Sequence, residues 1–355
     1  RYFDPIDEVV SLDSTITSFD LQRGKNVHFE TGEKLLFSRN IYTCVQRAFW
    51  FWQSFRHEPS ESTLYLKNDQ DKWVQVVPII RWRGYAAPRP EFGGVFVVEQ
   101  SGPHSWYRRW FWESPKRVFL GCGTWIGPNE VHKHKYLVGQ NLVPYEVSRF
   151  MAASIRFQGG LFAPQKWRKE GDIRIPDLAE DVNQQPFTMY FNVHAKGKVH
   201  SKLYHYVALE PSDKDKQALA VSFWVPADGV GPQFRYKHLG RSESLRGASA
   251  IAGRVRSTKR AYDWSKNEPV EHRPYLREVV DEKGNVTVPF RWLTTVVTID
   301  KQHTRREDDP PVFVTGLPEI AITDARTEDV VWVDRQRPDN WPKQLLEALT
   351  RKGTE

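Results

Sequence analysis

The chain has 355 residues, 39% of them hydrophobic and 27% charged, with a formal net charge of +7. That hydrophobic content is too high for a disordered tail, and apolar runs of a few residues are too short to span a bilayer as helices. The length suits one large domain or two ordinary ones, and collagen or coiled-coil compositions are excluded.

The first residue is Arg1 rather than Met, so a fragment, a processed product or a trimmed chain is expected. Leu35, Tyr42, Val45, Phe49 and Trp52 recur at helical spacing and predict a helix within Glu33–Phe55, although Ile41, Thr43 and Val45 are β-branched. Ser62–Lys67 and Lys72–Trp82 read as a hairpin about Asn68-Asp69-Gln70-Asp71. Pro78 removes a ladder donor from the second arm, which is then an edge strand or a bulged one. Gly94–Glu99 and Arg117–Trp125 are the next strands.

Pro144–Phe157 carries Val147, Phe150, Met151, Ser154 and Ile155 on one helical stripe and is stopped by Gly159-Gly160. Phe187–His194 and Lys198–Leu209 form a long hairpin about Lys196-Gly197, followed by the short apolar run Leu219–Val225. Leu245–Ala261 has a helical stripe weakened by Gly247 and Gly253. Glu278–Asp281, Val286–Ile299, Val312–Thr315, Glu319–Thr323 and Asp329–Asp334 complete the strands, and Asp339–Lys352 is a well-capped final helix. Hairpin spacing without strand–helix alternation predicts a mainly-β or α+β fold, with antiparallel sheets built from hairpins and a few packed helices. Two β-rich halves are expected, 1–170 with one or two helices and 171–355 ending in a helix; a single domain is the alternative.

Phosphate loops, nucleophile elbows, H-E-x-x-H helices and EF-hand loops are all absent, so no cofactor is expected and a non-enzymatic role is favoured. Cys44 and Cys122 make neither a disulfide framework nor a C-x-x-C pair; two half-buried thiols are the ordinary reading and one bridge the alternative. The compartment stays open, compatible with cytoplasm or with the soluble domain of a membrane-anchored protein.

Positive charge is concentrated. Residues 102–169 carry 11 basic groups against 3 acidic, and residues 231–306 carry 16 against 8. Basic residues interleave with aromatics in Arg81-Trp82-Arg83, in Trp106, Arg108, Arg109 and Trp110, and at Lys116 and Arg117; Lys166-Trp167-Arg168-Lys169 repeats the pattern. Guanidinium beside indole suits phosphate pairing with base stacking, or a lipid headgroup surface, while the ordinary reading is cation–π packing at a core edge. Arg254, Arg256, Lys259 and Arg260 lie in a second basic stretch, either a partner-ordered segment or plain surface.

His132 and His134, two apart, would share a strand face and could meet His194 or His200 of the long hairpin at a metal. Lys133, Lys135, Lys196, Lys198 and Lys202 crowd these segments and disfavour a dication. Three functions follow. The first is a binding or assembly component that engages an anionic partner (nucleic acid or membrane surface) or a protein complex partner through basic-aromatic surfaces. The second is a histidine-dependent hydrolase or nuclease, with or without a metal. The third is the soluble domain of a membrane-anchored protein.

Overall fold

Runs of β-branched and aromatic residues place most of the described backbone in antiparallel strands. The computed structural model describes residues 9–12, 21–24, 29–35, 39–49, 51–84, 88–100, 122–155, 173–175, 185–195, 198–211, 218–239, 245–259, 262–276, 279–280, 286–287, 290–300, 313–314 and 319–333. The chain divides into two units. Unit 1 comprises Arg1–Phe150, Asn192–His205 and Val225–Phe234, and unit 2 comprises Met151–Phe191, Tyr206–Trp224 and Arg235–Glu355. Both mix antiparallel sheet with short helices, the α+β character expected from the hairpin spacing. Among the described residues no helix is long and apolar enough to cross a membrane.

Strands β1 (Val9–Leu12) and β2 (Leu21–Gly24) form a two-stranded ribbon. Helices α1 (Ile41–Ala48) and α2 (Phe51–Ser54) replace the single helix expected over Glu33–Phe55. The reason is local. Gly32 bridges to Asn40, and the Asn40 side chain caps α1 by accepting from the Thr43 N–H at 3.0 Å, so the helix starts late. Phe49 then turns extended and ends it.

Strands β3 (His57–Pro59), β4 (Leu64–Lys67), β5 (Trp73–Arg83), β6 (Arg89–Glu99) and β7 (Thr124–Ile126) build a five-stranded sheet in the order β3-β5-β6-β7, with β4 also on β5. The expected turn is present. Asn68 Oδ1 accepts the N–H groups of Gln70 and Lys72, each at 3.0 Å, and Asp71 takes a φ of 59°.

Pro78 sits in a central strand, not an edge. Its carbonyl accepts from the Ser60 N–H at 2.8 Å, so its donor-less nitrogen faces the same side, in the gap between the segments paired by β3 and by β4. The expected bulge lies here. Pro78 pairs Val95 and Ile80 pairs Phe92, which places the extra residue in β6 at Gly93-Gly94. Gly94 has a φ of +91°, and a Cβ there would approach the Ile126 carbonyl to 2.1 Å. Helix α1 covers one face of this sheet, packing Ile41, Val45 and Phe49 on Val77, Ile79, Phe96 and Val98.

After β7 a single 3₁₀ turn, Val131–Lys133, leads to helix α3 (Tyr145–Ser154), close to the expected Pro144–Phe157. Strands β8 (Ile173–Arg174), β9 (Phe187–Ala195), β10 (Lys198–Pro211), β11 (Val221–Pro226) and β12 (Arg235–His238) make a second sheet in the order β12-β11-β10-β8, with β9 on β10 as the long hairpin required. Helix α4 (Ala248–Thr258) forms despite Gly253 because Ala248, Ile251 and Val255 are buried. Its Gly247 cap carries no side-chain bond; Glu210 of β10 supplies one instead, accepting the Ser249 N–H at 3.1 Å and hydroxyl at 2.8 Å.

Strands β13 (Asn267–Leu276), β14 (Val279–Val280), β15 (Val286–Thr287), β16 (Phe290–Asp300), β17 (Phe313–Val314), β18 (Glu319–Asp324) and β19 (Val330–Trp332) complete the chain's sheets. Four of them follow the order β13-β16-β18-β19, with β17 also on β16, and α4 packs on Phe290, Trp292, Val296, Ala321 and Ala325. Asp339–Lys352 lies outside the described residues. Cys44 and Cys122 are not bridged to each other, the first being buried and the second half-buried.

Ile79 is fully buried beneath α1. Ile79→Ala should lower the unfolding free energy by about 2–5 kcal/mol, the transfer term plus the cavity left behind. Urea titration of the two proteins side by side checks this.

Candidate functional site

The register of the β3-β5-β6-β7 sheet decides which side chains share a face. His57 pairs Arg81, Arg81 pairs Glu91, and Arg83 pairs Arg89. Directly opposed residues project to the same side of a sheet, as do residues two apart in one strand. His57, Arg81, Glu91, Arg83 and Arg89 therefore line one face, continuing past the part that α1 covers.

The same face carries Trp125, which pairs Phe96, itself paired with Val77. Phe49, which ends α1, stacks on the His57 ring at 4.9 Å, and Trp125 is T-shaped to both, at 5.8 Å from His57 and 6.3 Å from Phe49. One aromatic-to-basic strip results, running from Trp125 through His57 to Arg81, Arg83 and Arg89.

Glu91 bridges the two central guanidiniums, Arg81 at 2.9 Å and Arg83 at 3.5 Å. Arg83 nonetheless remains 70% exposed, so its pair with Glu91 is screened by water, whereas the Arg81–Glu91 bond is part-buried. Arg56 belongs to the same end, since its carbonyl accepts the Trp82 N–H at 2.7 Å. Trp82 lies on the opposite face, where its indole N–H donates to Glu58 at 3.0 Å.

His57 has a fixed tautomer. Its Nδ1 is 2.9 Å from the Gln53 carbonyl, which can only accept, so Nδ1 carries the hydrogen and Nε2 of the neutral ring is the acceptor. Burial lowers the imidazole's pKa against the weaker opposing pull of the Gln53 bond, and the positive charges of Arg81 and Arg56 lower it further. Trp125 is similarly committed. Its N–H donates to the Gly93 carbonyl at 3.0 Å while the residue stays 41% exposed, so the ring's π-face is what it can offer a partner.

The structure thus gathers Arg81 and Arg83 with His57, Arg56, Arg89 and Trp125, which the sequence reading had not joined to them. Trp106, Arg108, Arg109, Trp110, Lys116, Arg117 and Arg260, with the Lys166–Lys169 repeat, lie outside the described residues. Arg254, Arg256 and Lys259 belong to unit 2. There Lys259 is engaged internally, bonded to Glu319 at 2.6 Å and lying 3.9 Å above the Trp332 ring. Arg254 donates to the Glu328 carbonyl at 3.0 Å.

The metal expectation needs correction in its geometry. Val131–Lys133 is a 3₁₀ turn, so the strand argument that put His132 and His134 on one face does not apply. His194 and His200 lie on β9 and β10, with side chains outside the described set. Among the described residues no three His, Cys, Asp or Glu side chains are placed to hold a metal ion.

A second polar arrangement in unit 1 joins α3 to β10. Ser148 Oγ lies 2.7 Å from His205 Nδ1, His205 Nε2 lies 2.6 Å from Asn141 Oδ1, and Asn141 Nδ2 donates to the Tyr145 hydroxyl at 3.0 Å. Burial holds the His205 pKa down at about 4, so the ring is neutral, with Nε2–H donating to Asn141 and the Ser148 hydroxyl donating to Nδ1. The order of groups is that of a nucleophile, a base and an orienting amide. Ser148 and His205 are nevertheless fully buried, and the network works as a clamp. In unit 2, His272 is likewise buried, bonded to Thr294 at 2.9 Å, and held down at about 4 chiefly by burial.

No known family model and no curated protein matches the chain. One solved structure, an uncharacterized protein from Eubacterium rectale ATCC 33656, is 8% identical over 77% of this chain and 76% of that one, with a TM-score of 0.20. A likeness at that level carries no argument.

The two buried histidines set an acid limit. An unfolded chain binds their protons near the ordinary value of 6.5, the folded chain only near 4, so stability falls as pH drops through that window and levels off below it. Between pH 7 and pH 5 each histidine should cost about 2 kcal/mol. Urea midpoints across this range should fall accordingly, and His205→Gln should flatten the dependence by its share.

Proposed function

We propose that this protein is a non-enzymatic binding or assembly component that engages an anionic partner through the strip on the β3-β5-β6 face. The observation that carries this reading is the register. Arg81, Arg83 and Arg89 lie on one face at one end of the sheet, with Arg56 at the same end. On that face Arg81, Arg83 and Arg89 stand with one carboxylate, Glu91, while Glu58 lies on the opposite face with Trp82, and the lowered pKa of His57 favours its neutral ring beside them. A guanidinium presents five N–H donors in a fixed fork, so one bond to Glu91 leaves Arg81 or Arg83 able to pair a phosphate or carboxylate.

The hydrolase reading gains one observation, the Ser148–His205–Asn141 chain of bonds. Burial of the hydroxyl counts against it, because a nucleophile must be reached by its substrate.

Binding of a fluorescent oligonucleotide and of anionic liposomes, each titrated with salt, tests the proposal. The bound species should weaken steeply as salt rises, because neutralised anionic groups release counterions. Arg83→Ala with Arg89→Ala should weaken binding by about tenfold or more and lower the salt slope by about two. Salt-independent binding, or an unchanged double variant, would remove this reading.

A further inference from the structure

We infer that the strip is a nucleotide site, in which Arg81, Arg83 and Arg89 take the phosphate, the Trp125 face stacks the base and His57 Nε2 accepts an N–H from it. The inference rests on the anionic-partner reading and narrows it to one chemical class. Three separate capacities meet on one face, and each is defined by what its neighbours have already used.

Trp125 spends its only donor on the Gly93 carbonyl while 41% of the residue stays exposed. A planar ring is the natural partner for the face that remains, since every base has a π-face of its own. His57 spends Nδ1–H on Gln53, and among the described residues nothing bonds to Nε2. That atom is a bare acceptor 5.8 Å, ring to ring, from the indole, and it asks for a donor. Each of the common bases carries an N–H group on its edge.

Arg81 and His57 are cross-strand partners, and Arg83 follows two residues on, about 7 Å further along the strand. The cationic end is displaced from the aromatic end within one face: Trp125 is level with Val77, and Arg81 and Arg83 follow four and six residues on, about 13 and 20 Å along the strand, a span that favours a strand of a few nucleotides over a single one. An acidic peptide would satisfy the arginines and leave both the indole face and Nε2 unused. A phospholipid headgroup would do much the same. A nucleotide satisfies all three.

Two sources supply this chemistry, a free nucleotide or one within a single strand, and both enter the test. Four probes are compared with the whole protein: an oligothymidylate of about twelve nucleotides, thymidine monophosphate, inorganic polyphosphate and phosphatidylserine vesicles. The oligonucleotide or the mononucleotide should bind tightest, and which of the two does so identifies the source.

Trp125→Ala should weaken nucleotide binding by about fivefold to a hundredfold, the range a lost base stack gives, while leaving polyphosphate binding unchanged. Trp125→Phe keeps a ring and should restore most of the loss, which separates stacking from damage to the fold. Equal losses for nucleotide and polyphosphate in Trp125→Ala, or vesicles binding tightest, would overturn the nucleotide assignment while leaving the anionic surface intact. No effect of Arg83→Ala with Arg89→Ala on any probe, or no binding to any probe, would overturn both.

Discussion

Register is the constraint on which the site depends. Each strand of the β3-β5-β6-β7 sheet alternates its side chains between two faces, so a slip of one residue would send a whole set to the wrong side. Ile79 must lie beneath α1, and Arg81 and Arg83 follow it on the same parity. The burial of Ile79 and Val77 thereby fixes where the two guanidiniums emerge. The hydrophobic packing that stabilises the sheet and the electrostatics of the candidate site are two consequences of one alignment.

Two devices protect that alignment. The Gly93-Gly94 bulge absorbs an extra residue in β6, and Gly94 has no tolerance for a side chain against Ile126. Beyond the bulge the pairs Arg81–Glu91 and Arg83–Arg89 are back in register. Without the bulge, residues of β6 beyond Gly94 would swap faces, and Glu91 could not bridge Arg81 and Arg83. Pro78 contributes from the other strand, because its missing donor falls where β3 and β4 leave a gap.

Much of the sheet architecture was legible in the sequence. Asn68 through Asp71 announced a turn, Pro78 announced an irregularity, and the Lys196-Gly197 hairpin has its two expected arms, because each rests on chemistry confined to a few neighbouring residues. Less of the site could be read. The sequence marks Gly94–Glu99 as a strand but gives no reason to begin it at Arg89, since Pro90 and the glycine pair read as a break; Arg89 therefore could not be placed opposite Arg83. His57 becomes informative only once Gln53, Phe49, Arg81 and Trp125 surround it, and those contacts depend on packing between α1, α2 and three strands. Asn40, a residue type among the strongest caps, marks where α1 begins, and the helical stripe that runs on from Leu35 to Trp52 hides that signal.

Glu91 looks at first like an argument against an anion surface, since it places a carboxylate between two of the arginines. Its geometry suggests another role. Exposed arginines lose side-chain entropy when they bind, and a guanidinium already held by a neighbouring carboxylate has lost part of it beforehand. Because Arg83 is 70% exposed, its attraction to Glu91 is worth little in water and is readily exchanged for a better partner, while the part-buried Arg81–Glu91 bond holds the carboxylate in place. Glu91 thus aims Arg81 and Arg83 without neutralising that face, where Arg89 adds a third guanidinium. His57 fits the same logic. Held neutral by burial and by Arg81 and Arg56, it adds an acceptor where a further cation would only add repulsion. A surface built solely to attract anions would gain from a charged imidazole at that position; one built to distinguish among them gains from a neutral one.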